Sequence, residues 1–309
     1  NQLSLLEAFR EDIQTIKQLV DQVDFNSVKV EDNQILGFGE IWSSKLLNAY
    51  LDSLGEVQTS WLNPMDFLII QNQEMGANVN WSKSKNAFTD CIQGITGKVI
   101  MGGFIASDED GNPTNLGRNG SDYSASIIGS LSEADSVTIW TDVDGVLTGD
   151  PRVVARARII EQMTYEEAIE LSYFGAEVIH PKTMAPLMHR NMPLYIRNTF
   201  NPDSQGTCIS SQIKNIRAVK GITTIKGIAL VNIEGTGMIG VPGIVNRLGN
   251  VLQEANISVV LISQASSEHS ICFAVRERDA QKAADVIQEE FKSDFENDNL
   301  NKIQIEEDC

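Results

Sequence analysis

Apolar positions recur at two periods along this chain, and the periods alternate. Leu3, Leu6, Phe9, Ile13, Ile16 and Val20 fall three or four residues apart, the spacing of one helical face. No capping signal precedes them, so the sequence is expected to begin inside a longer protein. A second helix is predicted over 40–54, opening on the GFGE of 37–40. Short apolar runs at 57–61, 67–70, 99–105, 137–141 and 194–197 read as strands. Helical patterns at 121–131, 164–174 and 182–190 separate several of them. Strands that are apolar throughout and alternate with helices predict a parallel sheet covered on both faces. Ligands of such folds lie beyond the carboxyl ends of the strands.

The texture changes after the polar stretch 201–215. Strand, helix, strand, strand, helix and strand follow at 226–234, 241–255, 257–263, 270–275, 280–291 and 302–305. Val241, Val245, Leu248 and Leu252 form the apolar face of the first of these helices. That order predicts a small ferredoxin-like unit with an antiparallel strand pair around the QASSEH loop. The domain boundary is placed near residue 215.

Composition narrows the function. The chain has 309 residues with 42 acidic and 24 basic side chains, a formal net charge of −18. Such a balance argues against nucleic acid and anionic membrane surfaces as partners. An anion-binding site here must concentrate its positive groups locally. The four cysteines are scattered without a CxxC pair, and the three histidines do not cluster with them, so neither a zinc site nor a disulfide framework is predicted. A cytoplasmic location fits. No apolar run reaches the roughly 18–20 residues of a membrane span.

Four stretches carry candidate chemistry. In GRNGSDYSASIIG, residues 117–129, Gly117 and Gly120 permit close backbone approach, and Ser121 or Asp122 can cap the helix that follows. A helix N-terminus attracts phosphate or carboxylate, and Arg118 suits a two-pronged grip on a carboxylate. A capped turn explains the same residues without a ligand. In WTDVDGVLTGDPR, residues 140–152, a strand ends and then supplies Thr141, Asp142, Asp144, Asp150 and Arg152. Those groups suit a nucleotide phosphate with its metal ion, or simply a polar turn. Glu40 of GFGE sits where a helix is expected to start, a place that favours a carboxylate whatever its function. The glycines Gly235, Gly237 and Gly240 match GxGxxG between a strand and a helix. The next strand ends without the acid that would hold a ribose, so NAD binding is not expected. No Walker-type P-loop occurs.

Taken together, LGRNGSDYSASIIG, IWTDVDGVLTGDPR, LSYFGAEVIHPKTMAPL and NISVVLISQASSEHSICFAV resemble the aspartokinases, and most closely the threonine-sensitive type. That type often forms the front half of a bifunctional aspartokinase–homoserine dehydrogenase. The resemblance runs over nearly the whole chain. It implies a three-layer αβα amino-acid-kinase fold over 1–215, followed by an ACT regulatory region over 216–309 with one complete unit and the start of a second. It implies transfer of the ATP γ-phosphoryl group to the β-carboxylate of L-aspartate. ATP would arrive with Mg2+, and no tightly bound cofactor or resident metal is implied. By resemblance, Arg118 holds the substrate α-carboxylate, Glu40 contacts its amino group, Asp122 organises the catalytic centre, and Gly120 and Ser121 line the substrate site. Thr141, Asp142, Asp150 and Arg152 fall to the nucleotide. His180 belongs to the FGA-x-V-x-HP segment of the family. In the ACT unit, Met238, Ile239, Gly240 and Gln264 are the effector candidates, with Ser266 nearby and threonine the implied effector. Gln264 and Ser266 are also readable as plain loop polar groups. A homodimer or larger oligomer through ACT sheets is implied.

Three departures qualify the resemblance. The Lys-Phe-Gly-Gly-Thr-Ser segment that supplies phosphate-binding groups in the family does not occur, so this chain is expected to be catalytically impaired. Leu147 stands where tyrosine is usual, and Glu177 where many members have lysine. Another amino-acid kinase, or an inactive amino-acid-sensing module, is the competing expectation.

Overall fold

Two long helices begin the chain. A computed structural model describes residues 2–22, 32–73, 76–173, 179–213, 219–264, 269–301 and 303–307. Helix α1 (Gln2–Gln22) packs on α2 (Asp32–Leu54) through Phe9 and Trp42, whose rings lie 5.8 Å apart. Trp42 Nε1 donates to Asp12 Oδ2 at 2.9 Å. The GFGE stretch therefore does not start a helix; it lies inside α2. Gly37 is buried, and a Cβ there would stand 3.0 Å from Ile105 Cγ2. Glycine in a helix interior costs about 1 kcal/mol relative to alanine, and here it brings the helix backbone close to a strand.

β1 (Thr59–Trp61) is followed by a short 3-10 turn and then β2 (Ile70–Gln73), β3 (Gly76–Val79) and α3 (Trp81–Ile92). The strand expected at 67–70 begins only at Ile70. Phe67 and Leu68 are fully buried in the loop before it. α3 was not predicted, because Ser84 interrupts its apolar face. That serine is buried, and its hydroxyl bonds both the N–H and the C=O of Ile69 (3.0 and 3.3 Å).

The expected strand 99–105 is two strands, β4 (Lys98–Ile100) and β5 (Ile105–Ser107), with Gly102, Gly103 and a left-handed Phe104 between them. β5 forms a hairpin with β6 (Pro113–Asn115), turned by Asp108, whose carboxylate accepts from the amides of Asp110 and Asn112. α4 (Gly120–Ser132), β7 (Val137–Thr141), β8 (Gln162–Met163), α5 (Tyr165–Tyr173), α6 (Pro181–Met188), β9 (Leu194–Asn198) and β10 (Thr207–Ile209) complete the first unit.

β1 and β4 pair in parallel. The larger sheet runs β7-β9-β10-β8, with parallel pairs at each end and one antiparallel join. β10 lies within the polar stretch 201–215, where no strand was expected. Thr207 and Ile209 are both fully buried there. One core gathers Phe67, Ile70, Phe88 and Ile127; a second gathers Ile139, Met163, Leu187 and Ile196. In the second, Tyr165 Oη donates to the Met192 carbonyl, and burial pushes the phenol pKa up to about 12.

The first compact unit extends through Thr223, past the boundary expected near 215. Ile222 N bonds Thr148 O at 3.0 Å, and Lys220 Nζ pairs with Glu167 at 2.7 Å, which ties this late segment to the first unit.

The second unit, Thr224–Cys309, contains β11 (Ile228–Glu234), α7 (Ile244–Glu254), β12 (Val259–Gln264), β13 (Ser270–Arg276), α8 (Glu277–Glu290), α9 (Lys292–Glu296) and β14 (Gln304–Glu306). Its antiparallel sheet runs β12-β13-β11-β14, over a core that includes Val231, Leu248, Phe273 and Ile287. This is the predicted ferredoxin-like order. α7 starts at Ile244, three residues later than expected, because a 3-10 turn (Thr236–Met238) precedes it. Two of the GxGxxG glycines serve packing, for a Cβ on Gly235 would meet Asn299 O and one on Gly237 would meet Asn299 Cβ, whereas Gly240 supplies a left-handed turn (φ 69°).

Candidate active site

α4 runs away from its first turn, and β7 returns after the loop 133–136. A Cβ on Gly129, late in α4, would lie 2.4 Å from Val137 Cγ2 at the start of β7. Helix and strand are thus antiparallel neighbours. The N-terminus of α4 and the C-terminal end of β7 consequently share one edge of the unit, the edge where α/β folds bind ligands.

At that edge Leu36, Glu40, Phe104, Gly117, Asn119, Gly120, Ser121 and Asp122 line a cleft of about 400 Å3. Its shape depends on left-handed backbone at Phe104 (φ 69°), Gly117 (φ 73°) and Asn119 (φ 58°). Non-glycine residues there are uncommon and need support from their surroundings. Ser124 supplies it, for its hydroxyl accepts from Phe104 N and donates to Gly120 O, both at 2.9 Å. The loop lies directly on the helix backbone: a Cβ on Gly103 would meet Ser121 Cα at 2.9 Å, and one on Gly120 would meet Phe104 Cδ2 at 2.8 Å.

Neither Ser121 nor Asp122 caps α4, contrary to the sequence expectation. Asn119 occupies the cap position in a left-handed conformation and makes no side-chain cap bond. Gly120 N donates to Gly117 O (3.0 Å) and Tyr123 N to Asn119 O (3.1 Å). The amides of Ser121 and Asp122 have no acceptor among the described residues. They face the end of the helix with its positive dipole, a ready anion site. Asp122 is half-buried, and that burial raises its carboxyl pKa above the ordinary value.

Glu40 reaches this cleft from the middle of α2, so no helix dipole stabilises it as expected from the sequence. Its carbonyl is anchored by Ser44 Oγ at 2.7 Å. Arg118 is exposed beside the cleft rather than in its wall, and no ion pair ties it to the described residues. The cleft thus brings together Glu40, Gly120, Ser121 and Asp122, with Arg118 at the rim.

Thr141, Asp142, Asp150 and Arg152 do not line this cleft. Thr141 Oγ1 donates to Asp142 Oδ1 at 3.2 Å at the end of β7. Asp144 is held by the amides of Asn198 (2.8 Å) and Asn201 (3.1 Å), which fixes the loop to the end of β9. Arg152 grips Asp150 through Nε and Nη2, at 3.0 and 2.9 Å, so the two neutralise each other. Leu147 bridges Ile159 in the hairpin that follows. Trp140 is half exposed, and the Arg197 guanidinium lies 6.0 Å from its ring centre.

His180 is the N-cap of α6, accepting from Lys182 N through Nδ1 at 3.1 Å. Lys182 Nζ lies 4.8 Å from the centre of the Tyr123 ring on α4, and burial lowers its pKa. Glu177 and Ser266 lie outside the described residues. Sequence reasoning missed Ser124, Phe104 and Leu36. A serine one helical turn after a glycine carries no signal until the partner strand is known.

In the second unit Met238, Val241, Gly243, Val245, Gln264 and Ile271 are among the residues around a hollow of about 200 Å3 at the start of α7. Of the effector candidates, Met238 and Gln264 both line it. Ile239 and Gly240 do not line it; Ile239 is 53% exposed. Gly243 caps α7 without a side chain, leaving main-chain donors at the hollow.

Among the described residues no helix is long and apolar enough to cross a membrane. Nor do three His, Cys, Asp or Glu side chains among them converge as metal ligands.

Comparison with known proteins supplies a context for both units. The amino acid kinase family matches residues 7–198, and the ACT domain matches residues 231–291. The chain is 40% identical to the chloroplastic bifunctional aspartokinase/homoserine dehydrogenase 1 of Zea mays, over 89% of this chain and 30% of that protein. It is 38% identical to the bifunctional aspartokinase/homoserine dehydrogenase of Haemophilus influenzae, over 87% of this chain and 33% of that protein. It spans about a third of these relatives' length. Among solved structures, E. coli aspartokinase III in complex with aspartate and ADP (R-state) superposes with a TM-score of 0.74 at 26% identity, covering 97% of this chain and 67% of that one. The same enzyme with lysine and aspartate (T-state) gives 0.73 at 25% identity, with the same coverage.

Proposed function

The chain belongs to the amino acid kinase family and carries an ACT domain, and from that premise we propose that it is the kinase and regulatory part of an aspartokinase. The reaction moves the γ-phosphoryl group of ATP to the β-carboxylate of L-aspartate. A carboxylate oxygen forms the new P–O bond, the bond to the β,γ-bridging oxygen breaks, and ADP leaves with that electron pair. The nucleophile is already ionised at neutral pH, so no general base is needed. The protein's work is alignment of two anions and neutralisation of charge.

The observation that carries this reading is the cleft at the start of α4, with main-chain donors on one wall and Glu40 on another. Arg118 folds in from the rim onto the α-carboxylate, and Glu40 takes the ammonium. Gly120 and Ser121 present the helix end to the substrate, and Asp122 orders the centre of the cleft. The nucleotide, with Mg2+ as part of the substrate complex, occupies the end of β7 beside Thr141 and Asp142. Arg152 turns from Asp150 to the phosphates. An exposed ion pair is worth only about 0–1 kcal/mol, and Arg152 is exposed, so a polyphosphate competes readily for it. The test is hydroxylamine trapping of aspartyl phosphate with ATP and L-aspartate. Hydroxamate formed with aspartate and not with glutamate supports the reading. Acyl phosphate made from another amino acid alone contradicts it.

The hollow at α7 is the effector site in this proposal, with threonine as ligand. Its main-chain donors suit a carboxylate and Gln264 a hydroxyl or ammonium. Calorimetry with threonine tests it: Gln264→Ala should weaken binding about tenfold or more, and unchanged heats would refute the assignment.

A further inference from the structure

A second cavity of the first unit lies against another face of α2, lined by Gly37, Phe38, Ile41 and Lys45. It encloses about 280 Å3, room for a small molecule, and is bounded by α1, α2 and the β5–β6 hairpin. Leu19, Ile41, Trp61, Met65 and Ile105 give it apolar walls. Its charged groups are Asp12 and Lys45, about three-quarters buried side chains that stand 3.7 Å apart. That separation exceeds the 2.7–2.9 Å typical of a charged N–H···O bond (roughly, as a general range). The pair is close without being closed.

Each partner has capacity left. Asp12 Oδ2 accepts from Trp42 Nε1 at 2.9 Å, which orients the carboxylate and leaves Oδ1 with no donor among the described residues. Lys45 Nζ lies 5.0 Å from the centre of the Trp61 ring. That ring is fixed by its own bond from Nε1 to Ser44 Oγ at 3.0 Å. The ammonium is held by a π face and a loose carboxylate, neither of which uses up its three donors.

We propose that this cavity binds a free α-amino acid with an apolar side chain. The ligand carboxylate docks on Lys45 Nζ and its ammonium on Asp12 Oδ1, closing a ring of four alternating charges. The apolar side chain fills the space between Trp61 and Ile105. A ligand with both charged groups on one carbon satisfies both residues at once; one with a single charge leaves the other residue desolvated and unpaired, which is costly. An uncharged apolar ligand would bury Lys45 and Asp12 without compensation. α2 carries Gly37 and Ile41 to this cavity, and Leu36 and Glu40 to the α4 cleft. The site is separate from the hollow at α7, since all its residues belong to the first unit.

The experiment uses the whole chain with L-leucine and L-phenylalanine, read by calorimetry and by intrinsic tryptophan fluorescence, to which Trp61 contributes. Two analogues, 4-methylpentanoate and 3-methylbutylamine, each lack one charge. The proposal expects saturable binding of at least one of the two amino acids and at least about tenfold weaker binding of both analogues, a difference of about 1.4 kcal/mol. Lys45→Met and Asp12→Asn should each lose about the same factor, while Gln264→Ala binds as the unaltered chain. No saturation with either amino acid overturns the proposal. So do analogues that bind as well as the amino acid, or loss of binding in Gln264→Ala alone. If the charge variants fail to fold by circular dichroism, the analogue series on the unaltered chain decides.

Discussion

Single residues set the electrostatics of the cleft, and Asp122 is the clearest case. Its burial raises the carboxyl pKa in the folded state. A carboxyl raised on folding adds stability below its unfolded pKa, and that contribution is lost as pH rises through the folded value. At neutral pH the native charge is therefore retained against stability. Asp122→Asn is expected to raise Tm at pH 7, and the gain should shrink as pH falls through the folded pKa. The same change should cut phosphoryl transfer by about tenfold or more. Thermal scans at pH 7 and pH 5 check the first statement; a lower Tm at pH 7 would contradict it. In the sequence Arg118, Gly120 and Ser121 read equally as an anion site or a capped turn, and only the family resemblance assigned them to a substrate. Ser124 was illegible, since its role is a bond to Phe104, twenty residues earlier in the chain.

Elements were legible wherever burial and period agree. α4, β7 and the βαββαβ order of the second unit emerged from spacing alone. α2 emerged only from residue 40 onward, because Gly37 and Gly39 look like breakers, while tertiary contact with Ile105 requires the small residue at 37. The 99–105 run misled in the opposite sense. Its apolar residues are continuous, yet Gly102 and Gly103 end β4 so that the loop can lie on α4. That close approach gives a prediction. Gly103→Ala places a methyl 2.9 Å from Ser121 Cα, a backbone atom of α4 that no side-chain rotation can move aside. Overpacking of this kind costs about 1–3 kcal/mol. The variant should unfold at lower urea concentration and bind L-aspartate more weakly. Unchanged aspartate affinity with intact stability would show that the loop does not shape the cleft.

Over the whole molecule, a net charge of −18 must be reconciled with the two anionic reactants of the proposed reaction. Main-chain donors do this without adding a surface field: helix ends attract anions locally while the surface stays acidic. The second unit leaves apolar surface bare at β12, an edge strand. Leu261 and Ile262 are 52% and 49% exposed although neighbours on a strand point to opposite faces. Such an edge is a template for pairing, so we propose self-association there. Leu261→Lys should shift sedimentation toward the monomer at micromolar concentration. A monomeric unaltered chain, or an oligomer that survives the change, would rule the edge out as the interface.

Aspartate recognition at the start of α4 is the claim on which the functional reading stands. It is measured most directly by titrating L-aspartate calorimetrically, with ADP present, into the unaltered chain, Arg118→Ala and Glu40→Gln. The account predicts saturable binding in the first and at least about tenfold weaker binding in each variant, with folding intact by circular dichroism. Equal affinity in all three chains would contradict it.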